Sequence, residues 1–237
     1  MTMLDLSGAP VGVIIGAHIG SGALAVAAGA LALGARKGAA THIGAGRMFA
    51  VAMIISSALG AVLGLIKVDE FFITFHAGVL SLTLILSSWL TARTREGRPG
   101  RASLAVGIVN FINAAGLIAA GVYAQSAPDG LLFGFHATDY FFLSGMAGVA
   151  ALCDISILFR KTLSDHHRVA RHLWRMCLGF FIAAGSAFTG PGAEAFPKAV
   201  RASGVLSAPE LIIFVLMLFW LARTLLRRST SANGGSA

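Results

Sequence analysis

The chain has 237 residues, of which 57% are hydrophobic and 12% are charged, and its formal net charge is +8. Soluble domains contain about a quarter charged residues, so most of the surface of this protein cannot face water. The composition therefore excludes an ordinary soluble enzyme and predicts a membrane protein. The basic residues are spread over successive loops between apolar runs, which is typical of membrane orientation and not of nucleic-acid binding.

The apolar runs predict an all-α, polytopic bundle of seven transmembrane helices. The N-terminal stretch Met1 to Ala9 has no Lys or Arg, unlike a secretory signal, so the first run is predicted to stay in the mature protein. Arg175 and the pair Pro209-Glu210 interrupt the last two runs, and six spans plus an interfacial segment is the alternative. The predicted spans are Pro10 to Ala35, Met48 to Ile66, Phe71 to Ala92, Ala102 to Ala124, Tyr140 to Phe159, Leu173 to Thr189 and Gly204 to Ala222.

The distribution of basic residues predicts the orientation of the bundle. With seven spans, Lys67, Lys198 and Arg201 fall on one side and the other 15 of the 18 basic residues fall on the opposite side. The side rich in Lys and Arg is cytoplasmic, so the N-terminus is predicted to lie outside and the C-terminus inside the bacterial cytoplasmic (inner) membrane. Residues 1–228 are predicted to form one transmembrane domain, followed by a disordered cytoplasmic tail at 229–237.

Small residues recur along the first two spans. Gly12, Gly16 and Gly20 are spaced every four residues, which predicts close approach of another helix and a central position for span one. The opposite face carries His18 beside further small residues, which leaves a groove for a planar ligand or for a neighbouring helix; these residues are Gly22, Ala25 and Gly29. Gly60 and Gly64 repeat the spacing in span two.

Four polar or thiol groups inside the spans are predicted to have structural roles. Asn110 and Asn113 lie in the middle of span four, where an amide most often forms hydrogen bonds between helices. Cys153 and Cys177 both fall within apolar segments, which favours small core residues over a disulfide or a metal site.

Histidines are the main candidates for function, since ionisable groups inside a membrane are costly unless they are paired or in use. The phrase His-Ile-Gly-small-Gly occurs twice, at His18 and at His42. At a helical rise of about 1.5 Å per residue, the segment between them covers most of a bilayer. His18 and His76 are predicted to share a depth near the outer face, and His42 and His172 to share one near the inner face.

Such pairs of neutral imidazoles predict a b-type haem in each leaflet and a transmembrane electron carrier or oxidoreductase that exchanges electrons with a quinone or another redox partner. Other interpretations stay open. His18, His76 and His136 would suit a zinc or copper site. The histidines of the two predicted pairs, together with Asp154, would suit a proton or metal-ion transporter. A non-catalytic membrane scaffold is the third alternative. Asp154 itself is predicted to pair with Arg47 or Arg175, because an isolated carboxylate at that depth would be protonated.

Two motifs resemble a family of bacterial integral membrane proteins that is catalogued as domain of unknown function 2306. They are the run from His42 to Arg47-Met48 and the run from Arg171-His172 to Arg175-Met176. The resemblance covers nearly the whole chain and implies a multi-pass fold, with no activity assigned. It places the family's site at the positions of His42, Arg47, His172, Arg175 and Asp154.

Overall fold

The computed structural model describes residues 9–93, 101–159 and 164–226, which form an all-α bundle of membrane-type helices. Most of the long helices are followed by a connection too short to fold separately. The long helices are α1 (Ala9–Gly34), α2 (Ala40–Ile66), α3 (Val68–Arg93), α4 (Arg101–Ser126), α5 (Ala137–Leu158), α6 (Asp165–Ala184) and α8 (Ala208–Leu226), and α7 (Lys198–Ala202) is a single turn.

Six of these helices are long and apolar enough to cross a membrane, namely α1 to α5 and α8. The integral membrane character predicted from composition is therefore confirmed. The sixth predicted span is different, because α6 begins at Asp165, eight residues before the predicted start, and its first turns carry several charges. Pro209 does not interrupt the last helix, since it lies in the first turn, where its missing N–H costs no helical hydrogen bond.

Two apolar cores share α3 and α6. Ala25, Phe49 and Phe180 belong to a core built from α1, α2, α3, α6 and α8. Leu84, Leu117 and Tyr140 belong to a second core built from α3 to α6. Helices α3 and α6 therefore occupy the centre of the packing, and they position the polar groups described below.

Helix α1 lies at the periphery, so its predicted central position is wrong. Only 17% of its most apolar stretch is buried, against 50% in α2 and in α3. Gly12, Gly16 and Gly20 have no atom of another helix near the position that a Cβ would take. The opposite face packs instead, with Gly22 against Ser56 and Gly29 against Phe49 and Phe180. The reason is that this face also carries His18, whose ring needs a polar partner, and α2 provides it.

Several loop and terminal predictions fall outside the described residues, including the tail at 229–237 and the basic residues Arg95, Arg98, Arg160, Lys161, Arg227 and Arg228. Within the described residues, both cysteines are free thiols; Cys177 belongs to the first apolar core, as predicted, whereas Cys153 is only half-buried. Gly60 and Gly64 also contact neighbouring helices as predicted, and a Cβ on Gly64 would lie 2.7 Å from the carbonyl oxygen of Phe71.

One end of the bundle, which we name the basic end, is where α1, α3, α5 and α8 finish and α2, α4 and α6 begin. His42 at the start of α2 bonds to Ala32 near the end of α1, and Lys37 lies over the ring of Trp220 on α8. Partial desolvation in the loop lowers the pKa of Lys37 below its usual value. At the opposite end, Leu131–Leu132 and Phe135–His136 form a small antiparallel hairpin before α5.

Candidate functional site

Four polar side chains of α3 face the interior of the α3–α6 bundle. They are His76, Thr83, Ser87 and Thr91, and all but Thr91 are buried. Residues three or four apart lie on the same side of a helix, and these positions fall close to that spacing. Helix α3 therefore presents a polar face to α4, α5 and α6, although its composition is apolar enough to span a membrane.

The centre of the polar region is an ion cluster that joins α5 to α6. The Asp154 carboxylate is fully buried, and its Oδ1 accepts hydrogen bonds from Nη2 of Arg175 at 2.6 Å and from Nη2 of Arg171 at 2.7 Å. From α4, the amide of Asn110 reaches Oδ2 at 3.4 Å. The predicted pairing of Asp154 with Arg175 is confirmed. Arg47 is not the partner, because it is exposed beside a surface groove between α1 and α2, near Ser21 and Met48.

Hydroxyl groups of α3 hold the two arginines and the asparagine in place. Arg171 donates from Nε to Oγ1 of Thr91 at 3.0 Å, and Arg175 donates to Oγ of Ser87. Thr83 donates to Oδ1 of Asn110 at 2.6 Å. Desolvated charges need such additional bonds to be tolerated in a low-dielectric interior. The cluster thus fastens four helices together.

A second pair joins α3 to α4 nearer the other end. Nδ1 of His76 lies 2.7 Å from Oδ1 of Asn113. Nδ2 of Asn113 donates to the backbone carbonyl of His76 at 3.1 Å. Because the amide nitrogen is already a donor, Oδ1 is the acceptor and Nδ1 of His76 carries the proton. The predicted interhelical role of Asn110 and Asn113 is therefore confirmed.

The other three predicted haem ligands, His18, His42 and His172, have the same proton arrangement. Nδ1 of His18 lies 2.8 Å from the carbonyl oxygen of Ser56, and Nδ1 of His42 lies 3.0 Å from that of Ala32. A carbonyl only accepts, so both Nδ1 atoms donate. Nδ1 of His172 lies 3.0 Å from Oγ of Ser88, whose own hydrogen goes to the His172 carbonyl at 3.1 Å.

These bonds fix the tautomer of all four rings. With Nδ1 as the donor, a neutral imidazole carries its lone pair on Nε2. No hydrogen bond to these Nε2 atoms is found within residues 9–93, 101–159 and 164–226. Metal-ligating histidines commonly show this arrangement, in which the second ring nitrogen donates to a backbone or side-chain oxygen.

His42 and His172 lie at the same end of the bundle, where His42 bonds to Ala32 of α1 and His172 bonds to Ser88 of α3. In each helix the next residue of the shared apolar core lies further along, Phe49 about two turns after His42 on α2 and Cys177 about one and a half turns after His172 on α6. That the two rings form a pair stays a prediction.

The predicted outer pair, in contrast, is divided by α3. A Cβ on Gly60 would lie 3.0 Å from the His18 ring and 3.3 Å from Thr74, so His18 lies on the α2 side of α3. His76 is about 200° around the helix from Thr74 and faces α4. One iron between His18 and His76 would therefore require α3 to move.

The three-histidine metal arrangement is not assembled either. His136 is exposed and caps α5 in a reciprocal capping box with Asp139, in the hairpin outside the helices. In the described part of the chain, no three His, Cys, Asp or Glu side chains are grouped so that they could hold a metal ion. His18, His76 and His136 each have a different neighbourhood.

The residues that sequence reasoning missed are the partners, above all Arg171, Thr83, Ser87, Ser88 and Thr91. A signal for them was present, because hydroxyl side chains recur at three- or four-residue spacing along α3, in the half of the helix that faces the arginines.

In comparisons with known proteins, no family model, no curated protein and no solved structure matches this chain. The resemblance of the His42 and Arg171 motifs to the family of unknown function stays a prediction.

Proposed function

We propose that this chain is a multi-pass protein of the bacterial cytoplasmic membrane that binds one b-type haem between His42 and His172 and transfers electrons. The observation that carries the proposal is the state of these two rings. They lie at one end of the bundle, each with Nδ1 donating to an oxygen and Nε2 without a hydrogen-bond partner among the described residues. Two neutral imidazoles are the donor set of a low-spin b-type haem.

The protein's own groups would orient the ligands. The carbonyl of Ala32 fixes the His42 ring, and the hydroxyl of Ser88 fixes the His172 ring while it donates to the His172 backbone. Such outer partners hold the ring plane and raise the basicity of Nε2. When bound, a haem supplies one-electron redox chemistry, and the electron donor or acceptor would be a quinone or another redox partner.

The test is the visible spectrum of the purified protein, produced with ample haem and measured before and after reduction. His42→Ala and His172→Ala should each abolish the low-spin spectrum, because both axial nitrogens are needed. His18→Ala and His76→Ala should leave it unchanged, whereas two haems, one in each leaflet, would lose about half of the signal with each of the four variants. His166→Ala is the matched control in α6. Absence of any Soret band from the wild-type protein would refute the proposal, and metal analysis would then test zinc or copper.

A second candidate is proton or ion transport through the polar face of α3. It is favoured by the buried groups that follow this helix from His76 through Thr83 to Asp154 and the arginines, since polar groups inside a membrane bundle often mark ion pathways. Proton uptake by vesicles containing the protein, compared with Asp154→Asn vesicles, tests it. If the purified protein binds no cofactor and the vesicles show no transport, the third alternative, a non-catalytic membrane scaffold, is supported.

The proposed orientation places the basic end in the cytoplasm, with seven crossings if α6 spans the membrane together with the six apolar helices. The excess of Lys and Arg at this end supports it. A reporter that is active only in the cytoplasm should be active when fused after Arg228 and silent when inserted within residues 127–134. The opposite pattern would reverse the topology. The same result at both places would indicate six crossings, with the N-terminus outside if both reporters are silent and inside if both are active.

A further inference from the structure

The ion cluster at the basic end contains more positive than negative charge. Two guanidinium groups, those of Arg171 and Arg175, share the single carboxylate of Asp154, and both reach the same oxygen. Arg171 is 6% exposed, and Arg175 and Asp154 are not exposed at all. A cluster of two arginines and one aspartate carries one uncompensated positive charge in a water-poor site, which is costly.

No other acidic side chain in the described residues neutralises this charge. Asp165, the nearest acidic residue along α6, pairs with Arg168 at 3.2 Å, and the remaining ion pairs described involve Lys67 and Arg201. The hydroxyls of Ser87 and Thr91 accept hydrogen bonds from the arginines but carry no charge.

The same two arginines also have unused donors. Nη1 of Arg171 and Nε of Arg175 are buried and have no hydrogen-bond partner among the described residues. Buried donors are nearly always paired in folded proteins, so an unpaired one calls for an unseen acceptor. Arg171 is otherwise held firmly, with Nε on Thr91 and Nη2 on Asp154, so the remaining Nη1 group is positioned in advance for an acceptor.

We propose that Arg171, supported by Arg175, binds a phosphate group at the basic end, between the end of α3 and the start of α6. A phosphate would supply both the missing negative charge and the missing acceptor oxygens, and arginine forms strong charge-assisted bonds to it. The phosphate can belong to an anionic phospholipid headgroup or to a free phosphate ion. Arg171 is next to His172 in α6, but the arginines alone would hold the phosphate, so the proposal does not depend on haem binding.

The test is the thermal unfolding midpoint of the full-length protein, purified in mild detergent and extensively delipidated. One arm adds inorganic phosphate, with chloride at the same ionic strength as reference. A second arm adds phosphatidylglycerol, with phosphatidylcholine as reference. We expect phosphatidylglycerol to raise the midpoint, and a rise with free phosphate as well would show that the phosphate group alone is recognised.

Arg171→Gln removes one charge-assisted hydrogen bond to the phosphate. The anion concentration that gives half of the rise in the midpoint should therefore increase at least about tenfold. Arg168→Gln, one turn nearer the helix start, is the matched control and should respond like the wild-type protein. Arg171→Lys keeps the charge without the planar fork, serves if the Gln variant does not fold, and should also bind more weakly. The proposal is overturned if neither anion raises the wild-type midpoint above its reference, or if the Arg171 variants respond as the wild-type protein does.

Discussion

Helix α3 is packed in two different ways on its two sides. Towards α2 the contact is made by small residues, and a Cβ on Gly78 would lie only 2.7 Å from the carbonyl oxygen of Ser57. Towards α4, α5 and α6 the contact is made by hydrogen bonds and ions centred on Asp154. Lipid gives helices no hydrophobic reason to associate, so membrane bundles rely on close backbone approach or on polar bonds, and here one helix uses both.

The two kinds of interface are sensitive to different substitutions. An interface of small residues fails when volume is added, because two backbones occupy the space. An ionic interface fails when one partner is removed, because the other charge is left buried and unpaired. Substitutions on the two sides of α3 should therefore reduce the free energy of unfolding by different amounts. Added volume should be harmful on the α2 side, and loss of a charged partner should be harmful on the other side.

The largest effect is expected on the ionic side, for Asp154→Ala. This change leaves the guanidinium groups of Arg171 and Arg175 buried without a counter-charge, and breaking a buried pair in this way costs about 3–5 kcal/mol of unfolding free energy. Denaturant unfolding of the variant and the wild-type protein in mixed micelles measures this loss of unfolding free energy.

Asp165→Ala is the control for Asp154→Ala, because its carboxylate is 89% exposed and forms a surface pair with Arg168. We expect no measurable loss from it, since exposed pairs contribute little. If Asp154→Ala were as stable as the Asp165 variant, the cluster would not be what joins these helices, and the contrast between the two sides of α3 would be lost.

An intermediate effect is expected on the other side of α3, for Gly78→Ala. A single methyl group there meets the backbone of α2 at Ser57 and Ala61, and overpacking of this kind costs about 1–3 kcal/mol. Gly16→Ala adds the same methyl group where no other helix lies near, and should be neutral or slightly stabilising, because alanine favours a helix more than glycine does. Equal melting temperatures for the two variants would show that α2 and α3 are not in close contact.

The same contrast explains what the sequence predicts well. Apolar runs predict the six membrane-type helices and their approximate limits, because lipid requires continuous apolar stretches, but they do not tell whether α6, whose first turns are charged, is a seventh crossing. Asp154 and Arg175 are identifiable for a related reason: a charge in such a stretch needs a partner. Asn110 and Asn113 follow the same rule, and their bonds to Thr83 and His76 fit it.

Choice among equivalent partners is harder to read from a sequence. Arg47 and Arg175 both lie near the same membrane face, and only the packing of α6 on α3 and α5 decides that Arg175 and Arg171 reach Asp154. Small residues on both faces of α1 gave no way to know that Gly16 would face outward. Likewise, the predicted common depth of His18 and His76 in the membrane does not determine on which side of α3 each ring lies.

The smallest effect is expected for the neutral pair between α3 and α4, and it separates a structural His76 from a functional one. Asn113→Leu removes the acceptor of His76 Nδ1 and the donor to the His76 carbonyl. Neutral side-chain hydrogen bonds in membrane proteins contribute on average about 0.6 kcal/mol and at most about 1.7. A double-mutant cycle of Asn113→Leu with His76→Leu should therefore give a coupling free energy in that range. Additive effects would mean that the pair does not stabilise the α3–α4 contact. The burial of His76 would then be explained better by a role in transport.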